Sequence, residues 1–314
     1  MSEPSPFIPL IVGCWQLDDR SWKPLSESDI GRTLDTYLAL GVNSFDTADI
    51  YGRSEQLLGR LLKGRECTIL TKAVFFSGIP TASHIRHKIE NSLRHLGRDC
   101  LDRVQVHWQD AQLDFSSTFA TLNALVEQGK IKTLGVTNFN TPMLEKALQH
   151  APIVSHQVQY SLIDRRVEQS MQALCLHHRI GLLAYGSLAG GFLSGKFRGV
   201  RSPHPESAHA RGFYYNAMIQ AHGGWGGVLQ LLEALAPLAE KYQKTIGQIA
   251  LNWVKQQAGV QALVTGFTLD RQQIQSNLQS FTWTLDPQDQ QALTELSTRL
   301  FKQVGDIYSY ERGH

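Results

Sequence analysis

Only four cysteines occur in 314 residues, and Cys14, Cys67, Cys100 and Cys175 lie far apart, with no CxxC and no clustered ligand set. That excludes a disulfide framework or a structural zinc site and predicts reduced, structural thiols. Excess charge is also missing. Thirty Lys and Arg stand against twenty-eight Asp and Glu, a formal net charge of +2, so no strong field draws the protein to nucleic acid or an anionic membrane. A small neutral or weakly charged partner fits that balance. No apolar run reaches the roughly 18 residues of a membrane span. The start, Met1-Ser2-Glu3-Pro4-Ser5-Pro6, lacks the basic and apolar regions of a signal peptide, so the expected location is cytoplasmic. Disorder is excluded by a hydrophobic content of 42%, enough for a sizeable core.

What is present is a repeated layout in which an amphipathic stretch ends at a glycine and a short apolar run follows. Residues 34–40 run into Gly41 and then Val42-Asn43-Ser44-Phe45; residues 55–63 run into Gly64 and then Cys67-Thr68-Ile69-Leu70. Gly97 precedes Val104-Gln105-Val106, Gly129 precedes residues 131–136, Gly181 precedes residues 182–185, and Gly259 precedes residues 260–264. With Leu10-Ile11-Val12 and residues 153–158 there are eight strand candidates separated by helical patterns. This alternation predicts a (β/α)8 TIM barrel, read as one domain over residues 1–314. A doubly wound sheet is the runner-up, but the turn Gly13-Cys14-Trp15-Gln16 after the first strand has no GxGxxG dinucleotide fingerprint. Residues 197–227 show no clean periodicity and are expected to form a long loop, as a functional lid or an unstructured insertion.

In such a barrel the active site forms where the strands end, so polar residues just after each apolar run carry the interest. Strand two ends at Asp46 and is followed by Tyr51, strand three ends around Lys72, and strand four ends at His107. Singly, Asp46 reads as a turn residue, His107 as a satisfied core histidine, and Tyr51 carries no signal. Lys72 is less easily dismissed, because an ammonium at an apolar strand end needs a partner. Together they are chemically coherent: Asp46 would hold Lys72, and the ammonium would lower the Tyr51 pKa from its reference of about 10 toward a useful acid. His107 would donate a hydrogen bond to a substrate oxygen.

These residues, and the run Gly41-Val42-Asn43-Ser44-Phe45-Asp46-Thr47-Ala48-Asp49-Ile50-Tyr51-Gly52 above all, resemble the aldo-keto reductase superfamily. The resemblance extends from Gly13-Cys14-Trp15 to Gln273-Ile274-Gln275-Ser276-Asn277 and is nearest to the long-loop branch that includes bacterial general aldehyde reductases and potassium-channel beta subunits. It implies a catalytic tetrad of Asp46, Tyr51, Lys72 and His107, and a nicotinamide cofactor bound at the barrel mouth without a Rossmann fold. It further implies that Thr137, Asn138 and Gln157 hold the nicotinamide carboxamide and that Tyr185 stacks on its ring. The glycine-rich run Gly186-Ser187-Leu188-Ala189-Gly190-Gly191, with Ser194 and Lys196, suits a pyrophosphate. At the adenosine end the matching positions are Gly266, Thr268, Gln273 and Asn277, with one extra residue in the motif and Arg271 as the nearby cation. The expected cofactor is NADPH, with NADH second.

Trp15, Phe75 and Trp108 are the expected substrate-pocket residues, Trp15 also bordering the cofactor, with Trp22 and Phe76 as further candidates. No metal is expected, since His204, His209 and His222 match no ligand spacing and read as solvated loop residues. The leading expectation is NADPH-dependent reduction of a small aldehyde or ketone, with Tyr51 as proton donor. Two alternatives stand beside it: an aldolase forming a Schiff base on Lys72, and a non-catalytic subunit that senses nucleotide redox state.

Overall fold

The computed structural model describes residues 9–76, 80–107, 114–201 and 214–308. Eight parallel strands close into a barrel in chain order: β1 (Leu10–Gly13), β2 (Ser44–Asp46), β3 (Thr68–Val74), β4 (Leu101–His107), β5 (Ile131–Thr137), β6 (Ile153–Gln159), β7 (Gly181–Tyr185) and β8 (Val260–Gly266). The expected barrel is thus observed, and each predicted apolar run lies in or overlaps one strand. Helices α1 (Glu27–Ala39), α2 (Ser54–Leu61), α3 (Ala82–Leu96), α4 (Phe115–Glu127), α5 (Thr141–Leu148) and α6 (Met171–His177) alternate with the first seven strands. After β7 come α7 (Asn216–His222), α8 (Gly224–Tyr242) and α9 (Ile246–Lys255); α10 (Arg271–Gln279) and α11 (Pro287–Leu300) follow β8.

Local chemistry sets these boundaries. Ser26, Thr81, Asp114, Asn140 and Asp270 each accept a hydrogen bond from a first-turn backbone N–H, and Thr245 with Gln248 forms a full capping box on α9. Between the strands and the helix layer lies the main core, to which β4 contributes Val104 and Val106 on its outward face. Inside the barrel, Ile11, Leu70, Leu183, Ala262 and Val264 form a smaller apolar plug beneath Tyr185.

The stretch expected to be one long loop departs from that reading. Residues 202–213 lie outside the described residues, with His204 and His209 among them, but residues 216–222 are helical and residues 224–227 form the start of α8. The glycines there serve packing: a Cβ on Gly223 would stand 2.7 Å from the Leu300 carbonyl oxygen, and one on Gly227 would stand 2.9 Å from the Phe301 ring. His222 is buried on α7, its Nδ1 2.7 Å from the Lys302 carbonyl oxygen, and is no solvated loop residue.

The C-terminal segment is stitched to the loop after β6 and to the start of α5 by polar contacts. Gln303 accepts from Arg165 N at 2.6 Å and donates to Ile163 O at 3.1 Å, while Asp306 accepts from Thr141 N at 3.1 Å. Beneath them Arg166 and Asp164 form a two-bond ion pair at 2.7 and 2.9 Å, both side chains buried.

Candidate active site

Strand register builds the site in two rungs. Lys72, Gln105, Gly135 and Ser155 lie side by side across β3 to β6, and Val74, His107, Thr137 and Gln157 form the next rung toward the strand ends. Because side chains alternate along a strand, Lys72, Gln105, His107, Thr137 and Gln157 share the barrel's inner face. Asp46, at the end of β2, meets Lys72 Nζ at 2.5 Å through Oδ2, and the same ammonium donates to Thr47 O at 2.9 Å. Its other oxygen, Oδ1, accepts from Gln157 Nε2 at 2.7 Å and Gln105 Nε2 at 3.1 Å. Lys72 Nζ lies 5.0 Å from the centre of the Tyr51 ring, and Trp15 stacks beside that ring at 6.2 Å. All four residues expected at one mouth are brought to it.

The electrostatics differ from the expectation in one respect. Removal from water, then the Asp46 carboxylate, push the Tyr51 phenol well above its usual range, so it is neutral in this state. The Lys72 ammonium, 5.0 Å from the ring centre, does not outweigh these two effects. Burial, with Lys72 nearby, holds the His107 imidazole down to about 3, so the ring is neutral at ordinary pH. His107 Nε2 and Asn138 Nδ2 approach to 3.5 Å.

Around these groups opens a cavity of about 1040 Å³, lined among others by Gly13, Trp15, Trp22, Thr137, Asn138, Gln157, Tyr185, Gly266, Thr268, Gln273, Asn277 and Tyr308. That volume lies at the upper end for small-molecule sites and suits a ligand as large as a dinucleotide with a substrate. The residues present fit such a group. Thr137 Oγ1 is buried without a hydrogen-bond partner, an acceptor and donor in need of one. Gly186 and Gly190, at φ +67° and +66°, expose backbone where a Cβ would strike the Tyr215 ring at 3.2 and 2.4 Å. Asn138, at φ +58°, accepts from the Tyr185 hydroxyl at 3.0 Å, and that hydroxyl also meets Tyr214 Oη at 2.9 Å.

A family model described as the aldo/keto reductase family matches residues 9–298. The chain belongs to that family. Aldo-keto reductase YhdN of Bacillus subtilis is 27% identical, over 94% of this chain and 90% of its own. The NADH-specific methylglyoxal reductase of Escherichia coli is 28% identical, over 92% and 94%. Among solved structures, a glycerol dehydrogenase from Gluconobacter oxydans matches with a TM-score of 0.82 at 26% identity, covering 93% of this chain and 92% of that one. This aldo-keto reductase is accordingly an NAD(P)H-dependent oxidoreductase, in a family whose chemistry is carbonyl reduction. Among its described residues no helix is long and apolar enough to cross a membrane.

Several expected positions of the reductase lie off the cavity wall. Ser194 turns its hydroxyl to Gly191 O at 2.7 Å, Lys196 is exposed, and Arg271 is exposed at the first position of α10. Phe75 is a correction: it is buried, edge-on to His84 and under Lys88, while Phe76, 60% exposed, lines the mouth. Continued alternation past the end of β3 accounts for both: Lys72, Val74 and Phe76 fall on the inner face, and Phe75 joins Ala73 in the outer core. Trp108 lies outside the described residues. Sequence reasoning passed over Gln105, although it stands two places before His107 and so on the same face of β4, and it passed over the paired aromatics Tyr214 and Tyr215.

Proposed function

We propose that this reductase converts a small aldehyde or ketone to the alcohol, with Tyr51 as the proton donor. When bound, the reduced nicotinamide supplies the hydride. The reading rests above all on the contact chain Asp46–Lys72–Tyr51 with His107 at the same mouth. A neutral phenol enters the reaction holding its proton, and the ammonium beneath the ring stabilises the phenolate left once the proton has moved to the carbonyl oxygen. The neutral His107 offers an N–H to the same oxygen and fixes its position. Thr137, Asn138 and Gln157 hold the carboxamide, Tyr185 covers one ring face, and the backbone of Gly186, Ser187, Leu188 and Gly190 takes the pyrophosphate. Ser194 and Lys196 contribute only from outside the wall.

At the adenosine end we place Gly266, Thr268, Gln273 and Asn277, with NADPH preferred over NADH by a narrow margin. Arg271 favours a 2′-phosphate, and the Asp270 carboxylate, which caps the same helix, opposes it. A Schiff base on Lys72 loses support, because its Nζ is already engaged by Asp46 and Thr47 O.

The Tyr51→Phe variant tests the assignment. Oxidation of the reduced nicotinamide is followed by absorbance across a panel of carbonyl compounds, with NADPH and NADH in parallel. Loss of the hydroxyl should lower kcat at least about a hundredfold while dinucleotide affinity stays within about twofold. Near-normal turnover in that variant refutes the role of Tyr51.

A further inference from the structure

We propose that Gln105 is a positioning residue for the proton-donating chain, acting through Asp46; the proposal rests on the catalytic reading above. Gln105 is fully buried and is not among the residues lining the cavity, so a ligand held in that cavity does not reach it. Its amide instead reaches Asp46 Oδ1 at 3.1 Å, on the side of the carboxylate opposite Lys72. The register puts it directly beside Lys72 on one flank and Gly135 on the other. Space for its stem comes from that glycine: a Cβ on Gly135 would lie 3.2 Å from Gln105 Cγ and 2.6 Å from Ser155 Oγ.

Two features separate this amide from an ordinary buried one. Its Oε1 has no hydrogen-bond partner, an arrangement that costs stability and is rare unless something else requires the side chain there. A leucine or methionine would fill the same volume without that penalty. Gln105 also differs from Gln157, the other donor to Oδ1, which lines the cavity. A bound carboxamide competes for Gln157, whereas Gln105 has no competitor. It therefore keeps the Asp46 carboxylate oriented toward Lys72 during the part of the cycle when Gln157 is engaged elsewhere. Its N–H dipole also takes up part of the carboxylate charge, leaving more of the ammonium field for the phenolate.

The test compares Gln105→Met and Gln105→Glu with the wild type and with Tyr51→Phe, all as full-length chains. Alcohol oxidation is assayed against pH, because in that direction Tyr51 must first be deprotonated. Gln105→Met should lower kcat by about tenfold or more and move the rising limb of the profile to higher pH by about half a unit or more. KM and the dinucleotide dissociation constant, from quenching of tryptophan fluorescence, should stay within about twofold. Gln105→Glu can donate to Asp46 only when its new carboxyl is protonated. Its activity in carbonyl reduction should therefore recover as the pH falls, adding an ionisation that the wild type lacks.

If Gln105→Met is poorly folded, the Gln105→Glu profile alone decides. Unchanged kcat and pH profile in a folded Gln105→Met protein, or a wild-type profile for Gln105→Glu, overturns the proposal. Such a result alongside an inactive Tyr51→Phe protein overturns the Gln105 role alone. Full turnover by Tyr51→Phe instead overturns the catalytic reading beneath it.

Discussion

Replacing His107 with Gln should flatten the protein's response to acid. Burial and the neighbouring Lys72 ammonium hold the folded-state pKa of this imidazole down to about 3. In the unfolded chain it takes up a proton near pH 6.5. Between those values the unfolded state binds one more proton than the folded state, so stability rises with pH across the window. The contribution is therefore whole above about pH 6.5 and is lost progressively as the pH falls toward 3. One proton corresponds to about 1.4 kcal/mol per pH unit, so the descent from pH 6.5 to 5 removes about 2 kcal/mol and the full window about 5 kcal/mol. Urea unfolding of the cofactor-free wild type and of His107→Gln, each at pH 7 and pH 5, isolates this term, since titrations common to both cancel. The wild type should lose about 2 kcal/mol more than the variant between the two pH values. Equal losses refute the argument, as would a His107 imidazole that titrates near pH 6 by NMR. At pH 5 a group with that depressed pKa is about 1% protonated, against about 97% for an ordinary histidine, so carbonyl reduction should not fall in that range through this residue.

Three further outcomes follow from other parts of the structure. Arg271→Ala should weaken NADPH binding about fivefold to tenfold and leave NADH within about twofold, because only the former offers a phosphate to the guanidinium; equal effects measured by fluorescence titration would remove Arg271 from cofactor choice. Gly190→Ala, whose Cβ would stand 2.4 Å from Tyr215 at φ +66°, should cost about 1–3 kcal/mol in unfolding experiments, and an unshifted melting temperature would refute that. Asp164→Asn should destabilise by about 3–5 kcal/mol, because it leaves the buried Arg166 guanidinium without its counter-charge. Replacing both partners with apolar residues of similar size should cost much less, and equal losses would point to packing in place of charge.

The barrel was legible because each strand is a short apolar run and most of the helices before them end at a glycine, signals that need no tertiary context. Asp46, Lys72 and His107 could be read for the same reason: each is a polar residue at the end of an apolar run. Gln105 escaped because it lies within such a run, where a single polar residue reads as incidental until the register sets it beside Lys72. The direction of the Tyr51 shift was misjudged because Lys72 was weighed alone, whereas burial is the largest influence on the phenol and the Asp46 carboxylate adds to it. Around Gly223 and Gly227, glycine signalled loop in the sequence, yet in the fold it allows α7 and α8 to press against Leu300 and Phe301.

Tyr308 reaches the cavity wall from a segment that belongs to no strand of the barrel. Its support comes from Gln303, fastened to the loop after β6, and Asp306, fastened to the start of α5, whereas Lys72, Gln105 and His107 are fixed by strand pairing. The part of the wall that Tyr308 provides and the parts that carry out the chemistry thus hang from separate frames. Variation in the tail can redraw the outline of the chamber without detuning the acid, so this reductase can diversify its specificity from the C-terminal segment inward while its reaction stays the same.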